Sequence, residues 1–344
     1  MENTEQSYRL SEVPVAPSTF DREVVFINAP ESELTARRIL IHTLLFLITA
    51  VTTTITGASW VMPVTDNSWF GMFLGPPLAI IHETLAGNLF PLTQGLIFST
   101  TLLVILAAHE FGHYFACRYY GIRATLPFFI PALPIVGLTL FGTFGAVIKI
   151  KAPITSRRAL FDIGIAGPLA GFAVALPASI IGLAIAKPAP FIESLSPDGI
   201  QFWDPLLFRI ISWALSTPPM IDWNPVYWAA WGTLLVTALN LFPVGQLDGG
   251  HVLYAVLGKQ VHKWVSRAVV VATVTLSILA LVWHQPPVYG VWTLVLLFLL
   301  KVGHPPVMED EPLGRGRLIL AVVALIVFIL CFMPFPITTL SAGQ

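Results

Sequence analysis

Long apolar runs separated by short polar turns set the pattern of this chain. They occupy residues 39–61, 94–120, 160–186, 227–257, 265–283, 288–300 and 318–332, the fourth interrupted at Pro243 and the sixth short. A helix needs about 20 apolar residues to cross the hydrocarbon layer of a bilayer. The pattern therefore predicts an all-α polytopic membrane protein with about six to seven transmembrane helices. Residues 126–158 depart from it. Pro127, Pro131 and Pro134 oppose a helix, while the stretch 142–150 (GTFGAVIKI) ends in a short alternation of strand type. Apolar yet unable to span, this interval predicts a short re-entrant β-hairpin packed against protein.

Four regions follow from this layout. Residues 1–36 read as a polar cytoplasmic tail, partly disordered, because the early sequence carries Pro14, Pro17 and Pro30 and lacks the basic start of a secretory signal peptide. Residues 37–93 hold the first transmembrane helix and an external segment, 94–258 a membrane core, and 259–344 the C-terminal transmembrane helices. Apolar residues make up 56% of the chain and charged residues 11%, too few charges to cover a soluble domain of this length. A net charge of −1 gives no sign of nucleic-acid binding. Cys117 and Cys331 both fall in apolar runs and read as small core residues, without support for a disulfide or a thiolate metal site.

Charge placement predicts the orientation. With the N-terminus in the cytoplasm, Arg118, Arg123, Lys149, Lys151, Arg157, Arg158, Lys259, Lys263, Arg267, Lys301, Arg315 and Arg317 share the cytoplasmic side. Lys187 and Arg209 are left opposite, beside Glu193, Asp198, Asp204 and Asp222. This is the asymmetry expected of a bacterial inner-membrane protein.

The chemistry lies in the second run. His109, Glu110 and His113 form a His-Glu-x-x-His motif. On a helix, residues i and i+4 share a face, so both imidazoles can meet one zinc ion while the Glu acts as base toward water. A proton relay or a polar helix contact is the alternative for such residues at membrane depth. His82 and Glu83 begin a similar pattern, but Ala86 stands where the second His is needed, so they read as a polar interfacial pair. A second segment, 238–250 (ALNLFPVGQLDGG), brings one acid to the same depth. Asp248 can supply the third ligand of a catalytic zinc, leaving one position open. Pro243 removes a backbone donor, and Gly245, Gly249 and Gly250 allow a non-helical path. Asn240 can offer a hydrogen bond to a substrate carbonyl or the tetrahedral intermediate. The alternative is a kinked helix whose Asp pairs with a nearby cation.

These blocks resemble the site-2 protease family of intramembrane zinc metalloproteases, peptidase M50 type. The resemblance is carried by 109–113 (HEFGH), 138–158, 160–171 (LFDIGIAGPLAG) and 238–252, and spans roughly 96–258. The block 303–306 (GHPP) is similar to bacterial and plastid members without an inserted PDZ domain. The resemblance implies one Zn2+ per chain held by His109, His113 and Asp248, with Glu110 as catalytic base and Asn240 as a polar group on the substrate side. It implies membrane-spanning proteins or signal-peptide remnants as substrates and a lipid bilayer as surroundings; the charge placement brings His109, His113 and Asp248 toward the cytoplasmic leaflet, so cleavage is expected near it. Oligomeric state stays open. Such an enzyme must unwind a helical substrate, and the free edge of the expected hairpin can hold the extended segment by strand addition; Pro at Val147 or Ile148 should then impair cleavage and spare zinc.

Other positions support the site. Gly164, Gly167, Pro168, Ala170 and Gly171 predict close packing around the metal helix. Asp162 is placed to order Arg157 or Arg158, or to start its helix. Trp213, Trp223, Tyr227, Trp228 and Trp231 read as an external aromatic belt. His251 reads as a partner or alternative ligand beside Asp248, and His304 as structural. A proton- or metal-coupled transporter would pair two interrupted helices, and one break is visible. A non-catalytic membrane scaffold would lack a ligand or the base, and neither is missing.

Overall fold

The computed structural model describes residues 35–62, 69–133, 140–188, 200–218, 221–222, 224–305, 307 and 311–339. Most of the 1–36 tail, the start of the 138–158 block, and Pro134, Glu193, Asp198, Trp223 and Pro306 lie outside the described residues. The elements run α1 (Ala36–Ser59), α2 (Trp69–Leu85), α3 (Phe90–Tyr119), β1 (Phe128–Pro131), β2 (Thr143–Val147) and α4 (Arg157–Ala184). They continue β3 (Ile200–Phe202), α5 (Leu206–Leu215), α6 (Pro225–Asn240), α7 (Asp248–Val282), α8 (Val288–Val302), α9 (Arg315–Cys331) and β4 (Ile337–Thr339). Among the described residues α1, α3, α4 and α7 are long and apolar enough to cross a membrane, while α6, α8 and α9 have 16, 15 and 17 residues.

The distribution of side chains is that of a membrane bundle. On α1 the buried positions are Thr49, Thr53, Thr56, Gly57 and Ala58, whereas Leu40, Leu44, Leu47 and Val51 point outward. Lipid accepts apolar side chains freely, so close helix contact is built from small and hydroxyl residues instead. Thr53 and Ser99 join α1 to α3 through a 2.6 Å hydroxyl contact.

The fourth apolar run is two helices. Of the bend or break expected at Pro243, the structure shows the break: the chain leaves the helix between Asn240 and Asp248. Buried carbonyls in such a break need donors. His262 approaches the Gly245 carbonyl at 3.2 Å, and Ser266 donates to the Pro243 carbonyl at 2.9 Å. Both reach it because α7 bends at Gly258, whose φ of 79° no ordinary helix residue adopts, and returns past the break. Gly249 and Gly250 are helical here rather than irregular. Their role is space: a Cβ on Gly249 would stand 1.9 Å from the Leu241 carbonyl oxygen.

Two helices replace expected loops. α2 lies within the interval read as an external segment, and it carries Pro76 and Pro77 inside the helix, residues that on sequence signal a break. α5 is ten residues long, too short for a span, and buries Leu207, Phe208 and Ile211.

The hairpin is present. Phe128 pairs with Val147, Phe129 with Ala146 and Pro131 with Thr143, antiparallel, with an irregularity between Phe129 and Pro131. α1 holds its β1 side: His42 Nδ1 lies 3.0 Å from the Pro127 carbonyl and Phe46 meets Phe129 edge-on at 5.1 Å, while Thr52 donates to the Gly142 carbonyl, just before β2, at 2.7 Å. This leaves β2 facing α3.

Two expectations change. Asp162 serves neither Arg157 nor Arg158. It accepts from Arg317 Nε at 2.8 Å and Nη2 at 2.7 Å, and from the Tyr120 hydroxyl, joining α4 to α9 and α3. Arg157 instead donates to the carbonyls of Ala255 and Val256, just before the Gly258 bend, and Arg158 pairs with Glu311 at 2.9 Å. Of the four described residues of the aromatic belt, two are interior. Trp231 is fully buried and donates to the Trp203 carbonyl at 2.9 Å, and buried Tyr227 bonds Asp204, while Trp213 is exposed.

Candidate metal centre

α3 carries His109 and His113 one turn apart, on the side it presents to α4. Both imidazoles are buried, at 5% and 7% exposure, and so is Glu110 between them. α4 can come this close because its facing positions lack side chains. A Cβ on Gly167 would lie 2.0 Å from His113 Nε2, and one on Gly171 3.1 Å from His109 Cβ. From the same helix, the Ile163 carbonyl lies 2.7 Å from His113 Nδ1. A carbonyl only accepts, so Nδ1 carries the ring proton and Nε2 offers its lone pair.

The break between α6 and α7 delivers the remaining groups. Asp248 opens α7, with the positive end of the helix behind its carboxylate. Its Oδ2 is 3.3 Å from His109 Nε2 and 3.4 Å from His113 Nε2, and the two Nε2 atoms are 3.2 Å apart. Zinc–nitrogen and zinc–oxygen bonds of about 2.0–2.1 Å in a tetrahedron place neighbouring donors about 3.3 Å apart. The three separations fit that edge. The donor chemistry fits as well, since a carboxylate oxygen and an imidazole lone pair face one another here and a cation satisfies both. Among the described residues, His109, His113 and Asp248 form the one His/Cys/Asp/Glu group with metal-ligand convergence.

Around this triangle lies a cavity of about 250 Å³. Its lining includes Glu110, Asn240, Gln246, His251 and the strand residues Ala146, Val147 and Ile148. The Asn240 amide nitrogen is 3.3 Å from His109 Nε2, so it borders the triangle directly. A backbone hydrogen bond from Ile148 reaches the Glu110 carboxylate. All five residues singled out from sequence therefore meet at one place.

Three contributors were not read from sequence. The Ile163 carbonyl and the Ile148 backbone leave no side-chain signal at all. The third is His304, whose Nε2 lies 2.8 Å from His251 Nδ1 across 53 residues of chain; its place in a Pro-rich turn hid that contact.

The sequence pattern described as "Peptidase family M50" matches residues 97–283, which contain the whole centre. A protein of Arabidopsis thaliana named "Probable zinc metalloprotease EGY2, chloroplastic" is 28% identical over 279 residues, 78% of this chain and 47% of that one. Its namesake in Oryza sativa subsp. japonica is 31% identical over 72% of this chain and 44% of its own length. A rice protein of the same subspecies named "Probable zinc metalloprotease EGY1, chloroplastic" is 30% identical over 68% of this chain. The chain spans about half the length of the curated relatives it matches. Over more than half of its own length, and across every residue of the triangle, the chain belongs to peptidase family M50.

Proposed function

We propose that this chain is an intramembrane zinc metalloprotease that hydrolyses peptide bonds of membrane-spanning substrates near the cytoplasmic leaflet. The observation that carries the reading is the convergence of His109, His113 and Asp248 at 3.2–3.4 Å with a buried glutamate on the same cavity. His109, His113 and Asp248 would hold the ion. When bound, zinc supplies Lewis acidity to the scissile carbonyl and lowers the pKa of water. Glu110 takes a proton from the attacking water and later gives it to the departing amine. The Asn240 amide is placed to hydrogen-bond the carbonyl oxygen as charge develops on it.

β2 supports a role in holding the substrate. The backbone groups of Lys149 and Lys151 bond to the stretch 123–125. Strand alternation then turns those of Ile148 the other way, toward Glu110. An unwound substrate segment laid along this edge presents its peptide bonds to the metal triangle.

The short helices α6, α8 and α9 complete about six to seven spans if they cross with their flanking residues. The cationic end is coherent: Arg157, Arg158 and Arg317 meet the Gly258 bend, the 311–312 turn and the α3 terminus. By the charge rule this favours a cytoplasmic start to α1, and a bacterial inner membrane is the proposed location. His113 lies six residues before the end of α3, about 9 Å from that face, close enough for water to enter. Single-pass membrane proteins and signal-peptide remnants are the proposed substrates.

The test uses purified full chain in proteoliposomes with a single-pass membrane peptide. Glu110→Gln should keep about one zinc per chain, as expected of a base that is not a ligand, and lose cleavage. Wild-type protein without tightly held zinc would favour a carrier, and Glu110→Gln with undiminished cleavage would end the protease reading.

A further inference from the structure

His251 borders the metal cavity but is not part of the triangle. It lies one turn into α7, over Gly164 of α4, where a Cβ would come within 2.8 Å of its own Cβ. Its hydrogen bonding fixes the ring's chemistry. The Pro305 carbonyl is 2.7 Å from His304 Nδ1 and only accepts, so that nitrogen carries the proton of His304. Burial holds the His304 pKa down to about 4, so the ring is neutral near pH 7 and its Nε2 is an acceptor. His304 stacks on Tyr254 at 4.1 Å and is held in place. The 2.8 Å contact then requires His251 Nδ1 to donate to His304 Nε2. His251 is thereby left with a bare lone pair at its own Nε2.

A cavity built to cleave an amide has two polar demands. The carbonyl oxygen wants a donor, which Asn240 offers. The nitrogen carries an N–H that wants an acceptor, and its lone pair must turn toward the proton carried by Glu110. We propose that His251 is a further catalytic residue: its Nε2 accepts the N–H of the scissile amide and of the amine it becomes, with His304 fixing the tautomer that makes this possible. Holding the N–H on one side directs the lone pair to the other as the C–N bond breaks and the Glu110 proton is delivered. This assignment rests on the protease reading above.

The experiment compares two synthetic membrane-spanning peptides. One has its cut bond mapped by mass spectrometry; the other carries an ester in place of that amide and has no N–H to offer. With the full chain in proteoliposomes, His251→Phe should lower kcat on the amide about tenfold, the size of one lost hydrogen bond, with KM and zinc content near wild type. The ester should be cleaved at close to the wild-type rate. His304→Gln, which keeps an acceptor for His251 Nδ1, should retain amide cleavage, while His304→Phe should fall toward His251→Phe. Equal losses on amide and ester would show a packing role, and loss of zinc a ligand role; either overturns the proposal and leaves the protease reading intact. A wild-type protein that cleaves neither peptide, with Glu110→Gln indistinguishable from it, would overturn both.

Discussion

At the scale of single residues, the centre depends as much on absent side chains as on ligands. The site-facing turns of α4 bring Gly164 under His251, Gly167 under His113 and Gly171 under His109. Gly167 is the strictest of these. A methyl there would stand 2.0 Å from His113 Nε2, and the ring cannot swing aside while its Nδ1 is held by the Ile163 carbonyl at 2.7 Å. Gly167→Ala should therefore weaken zinc binding by about 10- to 100-fold, as loss of ligand orientation does, with cleavage falling in step. Gly316→Ala, with nothing within 4 Å of its Cβ, is the matched control and should change neither. Chelator competition on the purified variants reads this directly, and a Gly167→Ala protein holding zinc like wild type would refute the seat. The candidate ligands were legible because His, Glu and Asp are costly at membrane depth and the i, i+4 spacing suits a shared metal ion. The glycines were legible only as close packing. Which glycine seats which imidazole depends on the rotation of α4 against α3, and hydrophobic pattern cannot report rotation in a helix apolar on nearly every side.

At the scale of elements, the apolar runs located the helices, but composition alone misread their ends. Pro243 signals the same interruption whether the helix kinks or stops. The complete break follows from donors elsewhere in the chain, His262 and Ser266, which satisfy its carbonyls. α2 escaped notice because Pro76 and Pro77 imitate a loop, and α5 because ten residues fall short of a span. The hairpin was legible from its prolines and its alternation, and the structure sharpens the test of its role. Val147 pairs with Phe128 in the ladder, so Pro at that position also attacks the hairpin itself. Ile148 turns its backbone toward Glu110. Ile148→Pro should leave the β1–β2 pairing and zinc content intact while cutting kcat at least tenfold, about what one backbone donor contributes in an active site. Retained cleavage in that variant would remove the strand edge from the mechanism.

At the scale of the whole molecule, one polar knot closes the cationic end of the bundle. Arg317 grips Asp162 with two nitrogens, at 2.8 and 2.7 Å, and reaches the Tyr120 hydroxyl at 3.1 Å. It thus ties the start of α9 and the second turn of α4 to Tyr120, the residue that caps α3, the helix of His109 and His113. Charge counting grouped Arg317 with Arg157 and Arg158 but assigned Asp162 to its sequence neighbours, because a partner 155 residues away is invisible to local spacing. Both side chains are roughly a quarter exposed, 28% and 26%, so the pair is neither fully screened nor fully desolvated. Removing one partner leaves the other charge half-buried, which costs more than the pair contributes. Arg317→Leu should destabilise the protein by about 1–3 kcal/mol, read as a lower melting temperature in detergent. Arg317→Leu combined with Asp162→Leu should recover part of that loss, since no orphaned carboxylate remains. Zinc content should be unchanged in both below the melting transition, because neither residue touches the triangle. A double variant no more stable than Arg317→Leu would mean that the knot stabilises through packing of the arginine stem and not through charge. The joint between α9 and α4 would then rest on the apolar cluster that Leu313 and Ala324 share with Leu160, Phe161 and Ile165.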